Sequence, residues 1–220
     1  MLTISEENYL KTIYNLSNSG KNQVSTNSIS NFLNMKPSSV TDMVKKLSKK
    51  KLLYYKKYKG ANISETGKKL AVQIIRKHRL WEVFLYEKLK FEWNEIHKIA
   101  EELEHISNNE LINKLDDYLD NPKIDPHGDP IPSKNGVYET KPKLPLVNLK
   151  ISDHCVVTIV NDEKINFLEY LNKVNIHIGS KIKVIDIIQF DKSLEIIVDK
   201  NKSIFISRQV AENILVTKLN

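Results

Sequence analysis

PSSVTDMVKKLSKKKLLYYKKYKGANI, residues 37–63, is the stretch that decides the fold. Pro37 suits the first turn of a helix, where its missing N–H costs nothing, and Val40, Met43, Val44 and Leu47 then share one inward face. The outward face begins with Lys36, Ser38, Ser39, Thr41 and Asp42 and continues with Lys45, Lys46 and Lys49. Small hydroxyls at the start of such a helix can approach base edges and phosphates closely, while lysines neutralise backbone charge. That is the make-up of a recognition helix. Leu52 to Tyr55 and Ala61 to Ile63 flank Lys56, Lys57, Tyr58, Lys59 and Gly60, which predicts a two-stranded wing with a basic, aromatic tip.

Working outward, Ser5 with Glu6 and Glu7 reads as a capped helix start, and Tyr9, Leu10, Ile13, Tyr14 and Leu16 form an apolar stripe. After the turn near Gly20, Thr26 is expected to cap a short helix through Leu33 that buries Ile29, Phe32 and Leu33. Asn34-Met35-Lys36 is then the tight connection of a winged helix-turn-helix. Charge agrees: residues 1–72 hold 13 Lys plus Arg against 4 Asp plus Glu, a balance of +9, so the remainder carries −2 of the +7 total. A basic first lobe on a near-neutral remainder fits a polyanion partner.

Beyond the basic lobe, six side chains repeat at helical spacing: His78 with Glu82, then His97, Glu101, Glu104 and His105. Offsets of four, seven and eight return to nearly the same helical angle, so residues 97, 101, 104 and 105 are expected on one face of a helix spanning 95–106. Imidazole nitrogen and carboxylate oxygen suit manganese(II) and iron(II), whereas soft ions want thiolates. The single cysteine, Cys155, lies in HCVVTIV and reads as a buried strand thiol, so no disulfide forms within the chain.

The chain has 220 residues and no run near the roughly 20 apolar residues of a membrane span. Its start, MLTISEENYLKTIY, lacks the signature of a secretion signal, so a cytoplasmic location is expected. Asn108 or Asn109 can cap a helix holding Leu111, Ile112, Leu115, Tyr118 and Leu119, which offers apolar surface for a homodimer. Asn121 to Pro145 holds six of the seven prolines and reads as a loop and linker, with His127 a turn residue. From about Asn148 the texture changes to short β runs, HCVVTIV, KIKVIDII, LEIIVD, SIFIS and ILVTKL, with one helical insert from Glu163 to Leu171. A small β-barrel accounts for them.

PSSVTDMVKKLSKKKLLYY with KYKG and TGKK, then IRKHRLWEVFL, EIHKIAEELEHIS and PHGDPIPS, resembles the diphtheria-toxin-repressor family of metal-dependent regulators, over almost the whole chain. The resemblance implies a dimeric winged-helix repressor that binds operator DNA when loaded with manganese(II) or iron(II). It places a primary site on Asn8, Glu101, Glu104 and His105, and an ancillary site on His78, Glu82 and His97 with Glu163 and Asn166 from the C-terminal domain. Iron-responsive members have Met and Cys where this chain has Asn8 and Glu101, so oxygen donors favour manganese(II), with iron(II) the alternative. A carboxylate of the short manganese regulators appears here as Lys11, which favours two separated sites over a paired-metal centre.

The expected fold is mainly α with a small β domain: winged helix-turn-helix (1–72), with Lys57 and Lys59 joining the α-helical lysines on DNA, helical metal-binding and dimerisation domain (73–133), proline-containing linker (134–149) and SH3-like barrel (150–220). The barrel's role is ligand donation, dimer support or docking of the linker. The expected partners are double-stranded operator DNA and a second copy of the chain, with no membrane and no small organic substrate. A metal hydrolase or di-iron protein is disfavoured: no HExxH or Gly-rich phosphate cradle is present, and Glu102 to His105 alone has Glu-x-x-His spacing. A winged-helix regulator sensing an organic ligand or partner protein is the remaining alternative, separated by metal titration of DNA binding.

Overall fold

Thr3, in extended backbone, accepts a hydrogen bond from the Glu6 N–H while Glu6 Oε2 accepts the Thr3 N–H at 2.9 Å, a capping box that starts helix α1 (Ile4–Leu16) in the computed structural model. The structure describes residues 2–93, 95–137, 143–160, 165–199 and 201–219. They divide into two units: Met1–His78 with Glu102–Asn109 and Pro132–Val137, and Arg79–Glu101 with Glu110–Ile131 and Tyr138–Asn220.

In the first unit, α2 (Thr26–Leu33) is capped by Ser25 and ends at Asn34 in left-handed backbone, and α3 (Pro37–Lys49) starts on proline as expected. Strands β1 (Leu53–Lys56) and β2 (Gly60–Ile63) pair antiparallel, Leu53 opposite Ile63 and Lys56 opposite Gly60. Gly60 is required: at φ +102°, a Cβ there would lie 2.3 Å from the Val24 carbonyl oxygen. Leu10, Ile13, Ile29, Val40, Val44 and Leu47 are fully buried. Three details differ from the sequence expectation. The caps are Thr3 and Ser25, each just upstream of the expected Ser5 and Thr26, and Phe32 is 61% exposed. Phe32 lies on the solvent face of a helix only eight residues long, whose inward turn is filled by Ile29.

Helices α4 (Glu65–Glu87), α5 (Ile96–Leu103) and α6 (Asn109–Tyr118) follow. The expected helix over 95–106 stops at Leu103; Glu104 and His105 occupy a turn closed by the Ile106 N–H on the Leu103 carbonyl.

The second unit contains a six-stranded antiparallel sheet. It comprises β3 (Leu144–Pro145), β4 (His154–Val160), β5 (Lys181–Ile187), β6 (Leu194–Val198), β7 (Ser203–Ile206) and β8 (Ile214–Lys218), with α7 (Ile165–Lys173) after β4 and α8 (Arg208–Glu212) before β8. Strand order is β3-β8-β4-β5-β6-β7, and register shifts at Val157/Ile159 and Val184/Asp186 bend the strands as an SH3-like fold requires. Cys155 is buried on β4 and burial pushes its thiol up to about 12, so it is an inert core residue. Glu163 and residues 138–142 of the expected linker lie outside the described residues.

Candidate metal centres and DNA-facing surface

Glu104, buried to 1% exposure, organises the donors of the first unit. Its Oε2 lies 2.7 Å from His78 Nδ1, and the Lys11 ammonium donates to both carboxylate oxygens at 2.9 and 2.7 Å. Burial raises the Glu104 pKa, but the His78 hydrogen bond and the Lys11 charge outweigh it and hold the carboxyl below its ordinary value. His105 Nδ1 is 2.6 Å from Glu7 Oε2, and its other ring nitrogen is 3.8 Å from Glu104 Oε1. Oxygen and imidazole donors thus converge from α1, α4 and the turn after α5, a set that suits a hard or borderline divalent ion. Asn8 is half-buried on α1, and its side-chain amide makes no hydrogen bond among the described residues. The charged donor that α1 brings to His105 is its neighbour Glu7, which the sequence reading did not select. The available signal was chemical: a carboxylate beside a neutral amide is the harder ligand.

In the second unit Glu82, 2% exposed, lies with its Oε1 3.2 Å from His97 Nδ1 and 3.4 Å from His127 Nδ1. Glu82, Asp125 and His127, all buried, bring one ligand atom each within 4.8 Å of one another. His127, read from sequence as a turn residue, is 4% exposed and stacks on the Trp93 ring at 5.5 Å between centroids. The loop is built locally: Asp125 Oδ1 accepts the His127 and Asp129 N–H groups at 2.9 Å each, and Gly128 at φ +86° lies so close to Thr158 that a Cβ would collide with its carbonyl oxygen. Arg79 Nε is 3.4 Å from Asp125. Burial first, then the charges of Glu82 and Asp129, push the Asp125 carboxyl up to about 7 against the opposing charges of Arg79 and His127. A buried group of carboxylates and imidazoles offers the oxygen and nitrogen donors that a divalent cation takes. Glu101 is 53% exposed, its Oε1 3.6 Å from His97 Nε2. Asn166 lies exposed on α7.

On α3, Lys36, Ser38, Ser39, Asp42, Lys45 and Lys49 are exposed. Thr41 is half-buried, its hydroxyl donating to the Pro37 carbonyl at 2.9 Å, and Lys45 is 3.8 Å from Asp42. Lys46 instead approaches the fully buried Glu6 on α1 at 3.3 Å, alongside Lys50 at 2.7 Å. The Lys50 hydrogen bond, opposed by burial and assisted by Thr3 and Lys46, draws the Glu6 carboxyl down to about 2. On the wing, Lys57 lies 4.9 Å above the Tyr58 ring, which is 93% exposed, and Lys59 is exposed beside it.

Comparison with known proteins agrees with this arrangement. Residues 1–61 match the family model "Iron dependent repressor, N-terminal DNA binding domain", residues 64–133 "Iron dependent repressor, metal binding and dimerisation domain", and residues 144–218 the FeoA domain. The HTH-type transcriptional regulator MntR of Oceanobacillus iheyensis is 36% identical over 119 residues, 54% of this chain and 80% of that protein. The iron-dependent repressor IdeR of Mycobacterium tuberculosis is 31% identical over 131 residues, 60% of this chain; the chain spans about half of that relative's length, 56%. A solved structure of a manganese-dependent transcriptional repressor in complex with manganese superposes with a TM-score of 0.87 at 27% identity, covering 97% of this chain and all of that one. The chain therefore belongs to the iron-dependent repressor family of metal-binding, DNA-binding transcriptional regulators.

Proposed function

We propose that the chain is a metal-dependent transcriptional repressor, acting as a homodimer on palindromic operator DNA in the cytoplasm and using manganese(II), with iron(II) as the alternative. The observation that carries this reading is the pair of buried donor clusters, Glu104 with His78, His105 and Glu7, and Glu82 with Asp125 and His127, in a chain whose first domain presents a basic recognition helix. The donors are oxygen and imidazole throughout, which favours manganese(II) over softer ions. The ligand sets proposed are Asn8 or Glu7 with Glu101, Glu104 and His105, and His78, Glu82 and His97 with Asp125 and His127 added. Glu163 and Asn166 complete the second set as proposed from the resemblance. The domain ranges 1–72, 73–133, 134–149 and 150–220 are proposed with it.

A bound divalent ion would draw these carboxylates and imidazoles onto one centre of positive charge. The chain's own residues do the rest. Glu7 and Glu6 are adjacent on α1; Glu7 holds His105, while Glu6 holds Lys46 and Lys50 at the end of the recognition helix. A change in how Glu7 and Asn8 are held is thereby passed to α3 through one residue of helix. In a dimer the two recognition helices must meet half-sites about 34–36 Å apart, so a small change in their setting decides binding. Lys45, Lys49, Lys57 and Lys59 meet phosphates, and Ser38, Ser39 and Thr41 lie at the end that meets bases. No helix among the described residues is long and apolar enough to cross a membrane.

The test is operator binding titrated with manganese(II) and iron(II) under anaerobic, chelator-buffered conditions. Activation by either ion at a free concentration below that needed for calcium(II) or magnesium(II) is expected. Equal binding at every metal concentration contradicts the proposal.

A further inference from the structure

Lys11 lies one helical turn after Glu7 on α1, so the two side chains share a face and reach the same turn after α5: Glu7 to His105, Lys11 to Glu104. The Lys11 ammonium donates to both oxygens of Glu104, and its side chain is 16% exposed against 1% for the carboxylate. Lys77 adds positive charge nearby: the fields of Glu7 and Glu104 favour its charged form, while burial lowers its pKa overall. Glu104 is thus already neutralised by a resident cation. A carboxylate held on both oxygens by an ammonium cannot also ligate a divalent ion without setting two cations against each other at close range in a poorly solvated site.

We propose that Lys11 is an internal competitor for the metal, a tethered cation that holds Glu104 in the metal-free protein and must leave it before the carboxylate can act as a ligand. The inference rests on the reading of Glu104 as a ligand for a hard divalent cation. Its consequence is a threshold: the energy of the Lys11–Glu104 pair is subtracted from the metal affinity, so the protein responds only at higher metal concentrations than its donors alone would set. A lysine is suited to the role, because its flexible stem can carry the ammonium out to water while the methylenes stay against the protein.

Two measurements test this on the full chain. Manganese(II) affinity is measured by competition with a chelating dye for wild type and Lys11→Met, a variant that keeps the stem and removes the charge. The variant should bind about tenfold tighter or more, the effect of removing one charge-assisted pair from the competition. Should loss of the pair unfold the variant, the wild type alone decides: Lys11 acylation by an amine-selective reagent, read by mass spectrometry, should be slow in chelated protein and faster with manganese(II). Unchanged or weaker affinity in a folded Lys11→Met, or Lys11 labelling that is the same with and without the ion, overturns the inference. A wild type that binds no manganese(II) or iron(II) at all removes the underlying functional reading and this inference with it, a result distinct from normal metal binding with an indifferent Lys11.

Discussion

Glu104 bears the most consequence of any single side chain, because it is buried among His78, Lys11 and His105. Replacing it with Ala, or His105 with Ala, should lower metal-stimulated operator affinity by about a hundredfold or more, since even outer partners of ligands cost about ten- to a hundredfold. Circular dichroism should show the fold intact, and full metal stimulation in both variants would remove them from the site. Glu6 makes a separate, electrostatic prediction. Lys50, helped by Lys46 and Thr3, holds its carboxyl at about 2, below the ordinary 4.5. The stabilisation is therefore fully present above pH 4.5 and is lost as pH falls towards 2. A carboxyl resonance of Glu6 that titrates near 4.5 would show that the clamp on Lys46 and Lys50 is absent in solution. At this scale the sequence was informative about residue type and less so about partner. As residue types, His78 and Glu82, four apart on α4, and His97 on α5 were legible, their role as ligands being proposed. Asp125 and His127 were not, because a Pro-Gly loop brings them to Glu82 only by tertiary folding. Glu7 was hidden by its neighbour Asn8, since adjacent positions on a helix differ by about 100° and pattern alone does not choose between them.

Elements were more legible than contacts. Pro37, the inward Val40, Val44 and Leu47 and the Gly60 tip all lie where the period-3.6 and turn signals placed them, giving α3 and the β1–β2 wing. The five β runs of the second half are β4 to β8. Ends were harder to read. The apolar period ran on past Leu103, yet the helix stops there because Glu104 and His105 are drawn into a turn by their own ion pairs. Helix α8 was not expected, as five residues carry too little periodicity to register. Exposed Lys45 should contact phosphate, so Lys45→Ala should weaken all DNA equally and reduce the slope of log affinity against log salt by about 1, whereas Ser39→Ala should alter sequence preference. Lys46→Ala should have a smaller salt effect than Lys45→Ala, because Lys46 already faces Glu6. Equal slopes for wild type and Lys45→Ala would place that face of α3 away from the duplex.

For the molecule as a whole, α1 joins the recognition helix to one buried donor cluster, because Glu6 holds Lys46 and Lys50 while Glu7 and Lys11 reach His105 and Glu104. Linkage makes the connection reciprocal: if the ion strengthens operator binding, operator must strengthen ion binding by the same factor. Moving such an equilibrium from mostly unbound to mostly bound takes about 5 kcal/mol of differential affinity, within reach of a multidentate site. The most direct measurement is operator affinity for one preparation, first stripped by exhaustive chelation and then reloaded with manganese(II) under anaerobic conditions. The proposed metal switch requires that specific binding be lost on stripping and return on reloading. Stripped protein that holds the operator as tightly as reloaded protein would contradict it.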